Sequence, residues 1–296
     1  MMDTAAPISS DDIVSLQRLA RFGDIPDSEW AKRLVSLISS QPDVTLVRVD
    51  RLRPVEAKAG GSNGTLLFDA TYLQGGNAVS GEYVLRFLPV SGLFKHYDVA
   101  GQFNLQRALR DSEVPVAPQF WLDADGTHLK TPGYVMGRVR GVSPPMGWRL
   151  SGLLAEASPG DRRAMMLDQL RVLAKIHAVD WRGLGLDWLE RRAEGRLPIE
   201  REINWYWDSL QWAGHAEYVS KLEPIRAWLI EHEPRDIEVV LCHGDVNFGN
   251  YIFEENKVTA VVDWEMAYLG APEGDLMSRQ MSEALLHEGA EWPIGA

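Results

Sequence analysis

The sequence predicts a two-lobed α+β fold, with a small antiparallel sheet in the first half and a mainly helical second half. Three observations predict it. Apolar residues recur at helical spacing through Ile38, alternate from Val44 onward, and return to helical spacing beyond Ser143-Pro144-Pro145. Turns rich in glycine and asparagine separate the alternating runs. A chain of 296 residues with 45% hydrophobic content can build two lobes around a cleft.

Two helices open the chain. Ser10 caps a run with Ile13, Leu16 and Leu19, and Asp27-Ser28 begins a second with Trp30, Leu34, Leu37 and Ile38. Residues 1–43 are assigned to this helical opening and 44–139 to a sheet-based N-lobe. Alternation over Val44–Asp50, Leu66–Leu73 and Tyr83–Leu88, with Gly75, Gly76 and Asn77 as a turn, predicts a three-stranded meander. A helix from Tyr97 to Arg110 and strands at Gln119–Leu122 and Tyr134–Met136 follow.

The composition shift after Gly141 puts the lobe boundary near residues 139–141, with 140–296 as the C-lobe. A hinge there presents the Gly137 carbonyl and the Val139 amide to an adenine ring. Ser158, Pro159 and Asp161 form a helix start, and Met166, Leu170, Leu173, Ile176 and His177 mark the helix that follows. His177 reads as a packed, hydrogen-bonded histidine. Trp205, Tyr206, Trp207 and Trp212 form an aromatic cluster on a further helix, largely core, and Glu223–His232 reads as a short helix.

Composition narrows the functions. A net charge of −12 with no concentrated basic face argues against nucleic acid as a partner. No stretch approaches the roughly 18 apolar residues of a membrane span, and Met1–Ala5 has no basic or apolar leader character, so a cytoplasmic protein is expected. The single cysteine, Cys242, follows Val239-Val240-Leu241 and reads as a buried strand residue.

The chemistry concentrates near the end, in LCHGDVNFGNYIF (residues 241–253) and VVDWE (residues 261–265). Asp245, Asn250 five residues on, and then Asp263 follow the order that phosphoryl transfer asks for. One carboxylate orients the attacking hydroxyl, while an amide oxygen and a second carboxylate hold hard cations. Strands over Tyr251–Phe253 and Thr259–Val262, joined by a turn at Glu255-Asn256, bring Asn250 and Asp263 together. Upstream, Ala59–Thr65 is a glycine-rich turn whose backbone can approach phosphate closely, which makes Ser62, Asn63 and Thr65 candidate nucleotide contacts. Arg86 on the third strand is a candidate cation for the α- and β-phosphates.

These features together resemble the aminoglycoside phosphotransferase and choline kinase-like family, over residues 55 to 280. The likeness rests on the Ser-Asn loop, Val84–Arg86, Tyr134–Met136, Leu173–His177, His243–Asp245 with Asn250, Val262–Glu265, and Asp275-Leu276. Tyr97-Asp98 with Gln102, Trp181 with Leu184–Leu186, and Asp263–Ala267 are similar to the subgroup associated with acyl-CoA dehydrogenases. The resemblance implies a protein-kinase-like fold, ATP and Mg2+ as cofactors, and a small-molecule hydroxyl as acceptor, such as a hydroxy acid or hydroxyacyl-CoA. It makes Asp245 the catalytic base, Asn250 and Asp263 the magnesium ligands, and Asp275 a prop for the catalytic loop.

The chain departs from the family at several positions. Arg86 stands where a lysine is usual, Gln102 where a glutamate is, and Ala271 where an aspartate is often found. The chain ends at Ala296, whereas members of the resembled family usually add further helices, so a truncated or unusually open large lobe is the expectation. Two other readings stay open, a catalytically silent nucleotide-binding module and an aminoglycoside-modifying kinase.

Overall fold

The computed structural model describes residues 25–55, 64–88, 95, 97–145, 147–191, 193–214 and 216–285. The chain divides into two compact units: Met1–Phe103 with Gln119–Arg138, and Asn104–Pro118 with Val139–Ala296. The helix expected from Ser10 lies outside the described residues.

The first unit is a five-stranded antiparallel sheet with one helix in its core. Strands β1 (Val44–Pro54), β2 (Gly64–Gln74), β3 (Asn77–Phe87), β4 (Gln119–Asp123) and β5 (Gly133–Gly137) lie in the order β1-β2-β3-β5-β4. Helix α1 (Asp27–Ser39) buries Trp30, Leu34, Leu37 and Ile38, one stripe at helical spacing. That stripe shares a core with alternate residues of β2, namely Leu66, Phe68, Ala70 and Tyr72. Gly75 and Gly76, at φ 57° and 83°, form the β2–β3 turn, and Asn77 is already paired with Gln74. Helix α2 (Val99–Ala108) follows β3 and is shorter than the sequence suggests, because the chain tightens to a 3-10 turn at Leu109–Asp111.

The second unit is built around helix α4 (Pro159–His177), which follows a single turn, α3 (Leu153–Glu156). Ser158 caps α4 by accepting from the Asp161 amide at 3.1 Å. Its buried face is Met165, Gln169, Val172, Leu173 and Ile176. That face is rotated from the expected stripe, since Leu170 is exposed and the polar Gln169 is fully buried. Helices α5 (Pro198–Trp212) and α6 (Ala216–Glu231) come next, the second starting earlier than Glu223. Trp212 and Tyr206 are exposed, so the aromatic cluster is only partly core.

Three further pieces complete the unit. Strand β6 (Val240–Cys242) pairs with β9 (Tyr268–Gly270), and β7 (Tyr251–Glu254) forms a hairpin with β8 (Lys257–Val261). Glu255 and Asn256, at φ 48° and 64°, make the hairpin turn. Asp168 of α4 accepts from the Val258 amide and from Lys257 Nζ, which fastens the hairpin to the central helix. Helix α7 (Pro272–Leu285) ends the described chain. Among the described residues, no helix is long and apolar enough to cross a membrane.

Candidate active site

The segment from His243 to Asn250 leaves β6, turns back on itself and enters β7. Buried hydrophobic residues anchor both of its ends. Leu241, Val246, Phe248 and Tyr251 share one core cluster, so the intervening polar residues project from a fixed backbone.

Asn250 Nδ2 donates both to the Asp245 carbonyl at 2.9 Å and to Asp245 Oδ2 at 2.8 Å. Two acceptors face one atom, which fixes it as the amide nitrogen. The Asn250 Oδ1 is therefore turned away from Asp245 and has the hardness that a magnesium ligand requires.

The hairpin connects this loop to Asp263. The Val262 amide donates to the Asn250 carbonyl at 2.9 Å, and the Val262 carbonyl faces His243 Nε2 at 3.0 Å. Both backbone groups of the residue before Asp263 are thus tied to the loop that carries Asp245. Asp263 itself adopts φ 66°, ψ 55°, a left-handed conformation that aspartate tolerates better than most residues. Such strained positions concentrate where a side chain must be aimed. The indole of Trp264 sits 4.7 Å from the His243 ring and donates to the Val261 carbonyl.

His243 is fully buried, and its ring joins the two pieces. Nδ1 faces the Asp245 amide at 3.3 Å and accepts from it, so Nε2 carries the proton given to Val262. The neutral tautomer satisfies both contacts.

Asp275 lies beneath the loop, also fully buried. It accepts from the His243 amide at 2.9 Å, the Gly244 amide at 2.8 Å and His177 Nε2 at 2.9 Å. His177, Cys242 and Asp275 bring ligand-type atoms within 4.8 Å of one another. Their bonding favours a prop over a cation site. The Asp275 oxygens are occupied by N–H donors, and the Cys242 thiol donates to the Ala271 carbonyl at 3.4 Å. Burial, reinforced by Asp275, pushes that thiol well above its ordinary range, away from the thiolate that a metal would need.

Gly244 shows how tightly the loop is packed. Its φ is +85°, and a Cβ built there would lie 2.3 Å from the Met266 carbonyl oxygen. The same oxygen accepts from Arg191 Nη2 at 2.8 Å, while Arg191 Nε bonds Glu202 at 2.7 Å. The guanidinium lies 4.0 Å from the Trp205 ring centre and 4.7 Å from that of Tyr268. Helix α5 is thereby clamped to the turn after Asp263. Burial raises the pKa of Glu202, with Arg191 opposing.

The remaining candidates lie in the first unit or at its edge. Arg86 on β3 donates from Nη1 to Thr65 Oγ1 at 2.8 Å, across the register pair that joins them. Ser62 and Asn63 lie outside the described residues. Gln102 is buried on α2, and its Oε1 accepts from the Tyr134 hydroxyl at 3.4 Å. Gly137 is the last residue of β5, and Val139 opens the stretch assigned to the second unit. Sequence reasoning missed Asn247, whose Nδ2 donates to Asp245 Oδ1 at 2.8 Å, and the spatial demands on Gly244 and Gly249. An asparagine two residues from a catalytic-type aspartate, followed by glycine, is the signal that could have found them.

Residues 64–284 match a family model described as the phosphotransferase enzyme family. Acyl-CoA dehydrogenase family member 11 from Rattus norvegicus is 30% identical over 229 residues, covering 76% of this chain and 27% of the relative. The Gallus gallus protein of the same name is 32% identical over 213 residues, covering 69% of this chain and 25% of the relative. The chain thus spans about a quarter of the length of these curated relatives. The structure of ADP-bound aminoglycoside phosphotransferase APH(2'')-Ib superposes with a TM-score of 0.52 at 16% identity, covering 85% of this chain and 75% of that one. The shared fold is the protein-kinase-like fold, as the sequence predicts.

Proposed function

The chain belongs to the phosphotransferase enzyme family, and from that premise we propose that it transfers the terminal phosphoryl group of ATP to a hydroxyl of a small molecule. The observation that carries this reading is the fixed amide of Asn250. It gives its nitrogen to Asp245 and leaves its oxygen for a hard cation.

In the proposed reaction the acceptor oxygen forms a bond to the γ-phosphorus while the bond to the β–γ bridging oxygen breaks. The products are ADP and a phosphate ester. The Asp245 carboxylate orients the hydroxyl and takes its proton late in the transfer, so the loop's contribution is orientation more than basicity. Asn250 Oδ1 and the Asp263 carboxylate would hold magnesium, which supplies charge neutralisation at the transferring phosphoryl group. Arg86, with Thr65 beside it, would meet the nucleotide phosphates as a guanidinium in place of an ammonium. Ser62 and Asn63 would contribute to the same phosphate turn, and the Gly137 carbonyl and Val139 amide would meet the adenine.

For the acceptor we infer a hydroxy acid or its coenzyme A thioester. Support comes from the relatives, whose name places this kind of sequence within proteins called acyl-CoA dehydrogenases.

The test is direct. Purified protein is incubated with ATP, Mg2+ and a panel of hydroxy acids and hydroxyacyl-CoA esters, and products gaining a phosphoryl group are read by mass spectrometry. Transfer is expected with the native chain and is expected to disappear in Asp245→Ala. Calorimetric ATP binding without transfer across the panel would make the protein a silent nucleotide-binding module, and transfer persisting in Asp245→Ala would remove the assigned base.

A further inference from the structure

Asp245 has two carboxylate oxygens, and an amide holds each of them. Oδ2 accepts from Asn250 Nδ2 at 2.8 Å, and Oδ1 accepts from Asn247 Nδ2 at 2.8 Å. The Asn247 amide also donates to the Asp245 carbonyl at 3.0 Å, so backbone and side chain of this residue both return to Asp245. A carboxylate anchored through one oxygen can still rotate about its Cβ–Cγ bond, whereas anchoring both oxygens fixes its plane.

Gly249 supplies an independent sign that this arrangement is built in. A Cβ added at that position would lie 2.9 Å from Asn247 Oδ1, and its next neighbour, the Pro144 carbonyl oxygen, would be at an ordinary 3.4 Å. Its φ lies outside the left-handed region, so a side chain added here would meet the Asn247 amide and no backbone restriction. The space is the one that the Asn247 amide fills.

We infer that Asn247 is a positioning residue for Asp245, and that Gly249 is glycine in order to admit the Asn247 side chain. The inference rests on the reading of Asp245 as the base. A carboxylate plane matters most when the hydroxyl proton moves, so losing it lowers kcat and leaves nucleotide affinity alone.

MgATP hydrolysis, with water as the acceptor and phosphate release as the signal, tests this without a known substrate. Asn247→Ala is expected to lower kcat roughly tenfold, in line with removing a hydrogen bond to a charged group, with KM for MgATP within about twofold. Gly249→Ala should give a similar loss, because its methyl group displaces the amide. The double variant Asn247→Ala/Gly249→Ala should be no slower than Asn247→Ala by more than about twofold, since the methyl group then displaces nothing. Melting temperatures confirm that each variant is folded.

A kcat for Asn247→Ala within twofold of the native value, or losses that multiply in the double variant, would overturn the inference and leave the phosphotransferase reading intact. Equal hydrolysis by the native chain and Asp245→Ala would instead remove the base itself, and the inference with it.

Discussion

The loop of residues 243–250 and the strand pair that carries Arg86 are built on different plans. In the loop, nearly every polar group is held at two ends. His243 links the Asp245 amide to Val262, Asn250 links Asp245 to the hairpin, and Asp275 collects both His243 and Gly244 from below. Arg86 sits on two long regular strands and donates to Thr65 across them. The difference follows from what each must do. A carboxylate that receives a proton needs an orientation, and small displacements are costly, whereas a cation facing phosphate needs mainly to be nearby. Disturbing the buried supports of the loop should therefore damage folding and turnover together, and disturbing Arg86 should damage nucleotide affinity alone.

The largest effect that separates the two is expected from Asp275→Ala. It removes a fully buried carboxylate and leaves two backbone amides and an imidazole N–H without their acceptor. Unsatisfied donors of this kind should cost about 3 kcal/mol or more, read as a lower urea midpoint, and turnover should fall with it. Native-like stability in that variant would mean that the loop does not depend on the acid beneath it. Gly244→Ala comes next. At φ +85°, with the Met266 oxygen 2.3 Å from any added Cβ, it should cost about 2 kcal/mol and lower kcat even where the protein is folded.

Cys242, on the strand that feeds the loop, gives a test through pH. Burial raises the folded thiol pKa above its ordinary value near 8.5. A raised folded pKa means that the thiol's contribution is intact below the unfolded value and is lost as pH rises past it. Between pH 8 and pH 10 the native chain should therefore lose about 2 kcal/mol more stability than Cys242→Ala, measured by denaturant midpoints. Parallel curves would show that the strand opens to solvent and does not clamp the loop.

The sequence made the second unit's chemistry legible because its signals are local. Asp245, Asn250 and Asp263 stand in one motif, and alternation around Glu255-Asn256 predicts the hairpin that joins them, which the structure contains. The strands of the first unit were readable for the same reason, since alternation marks β1 to β3 and short apolar runs mark β4 and β5. What stayed hidden depends on contacts distant in sequence or on polar residues inside the core. Gln169 took a buried place on α4 that a pattern of apolar residues gives to Leu170, and it does so while accepting from Arg279 of α7. The clamp of Arg191 on Glu202 and Met266 spans 75 residues, and no spacing rule reaches that far. Steric needs such as Gly249 under Asn247 appear only once side chains are in place.

Arg86 gives the smallest and most discriminating effect. Arg86→Ala removes the guanidinium from the register pair with Thr65 but leaves the buried faces of β2 and β3 as they are, so the melting temperature should move by no more than a few degrees. KM for MgATP should rise roughly tenfold, the worth of one charge-assisted contact to phosphate, while kcat changes by less than about threefold. Arg86→Lys should recover part of the affinity, because it restores the charge without the bidentate fork. These values come from steady-state kinetics at saturating and limiting nucleotide. A kcat loss in Arg86→Ala as deep as that of the loop variants would erase the contrast, since the arginine would then be acting on the transferring group as strictly as the loop does.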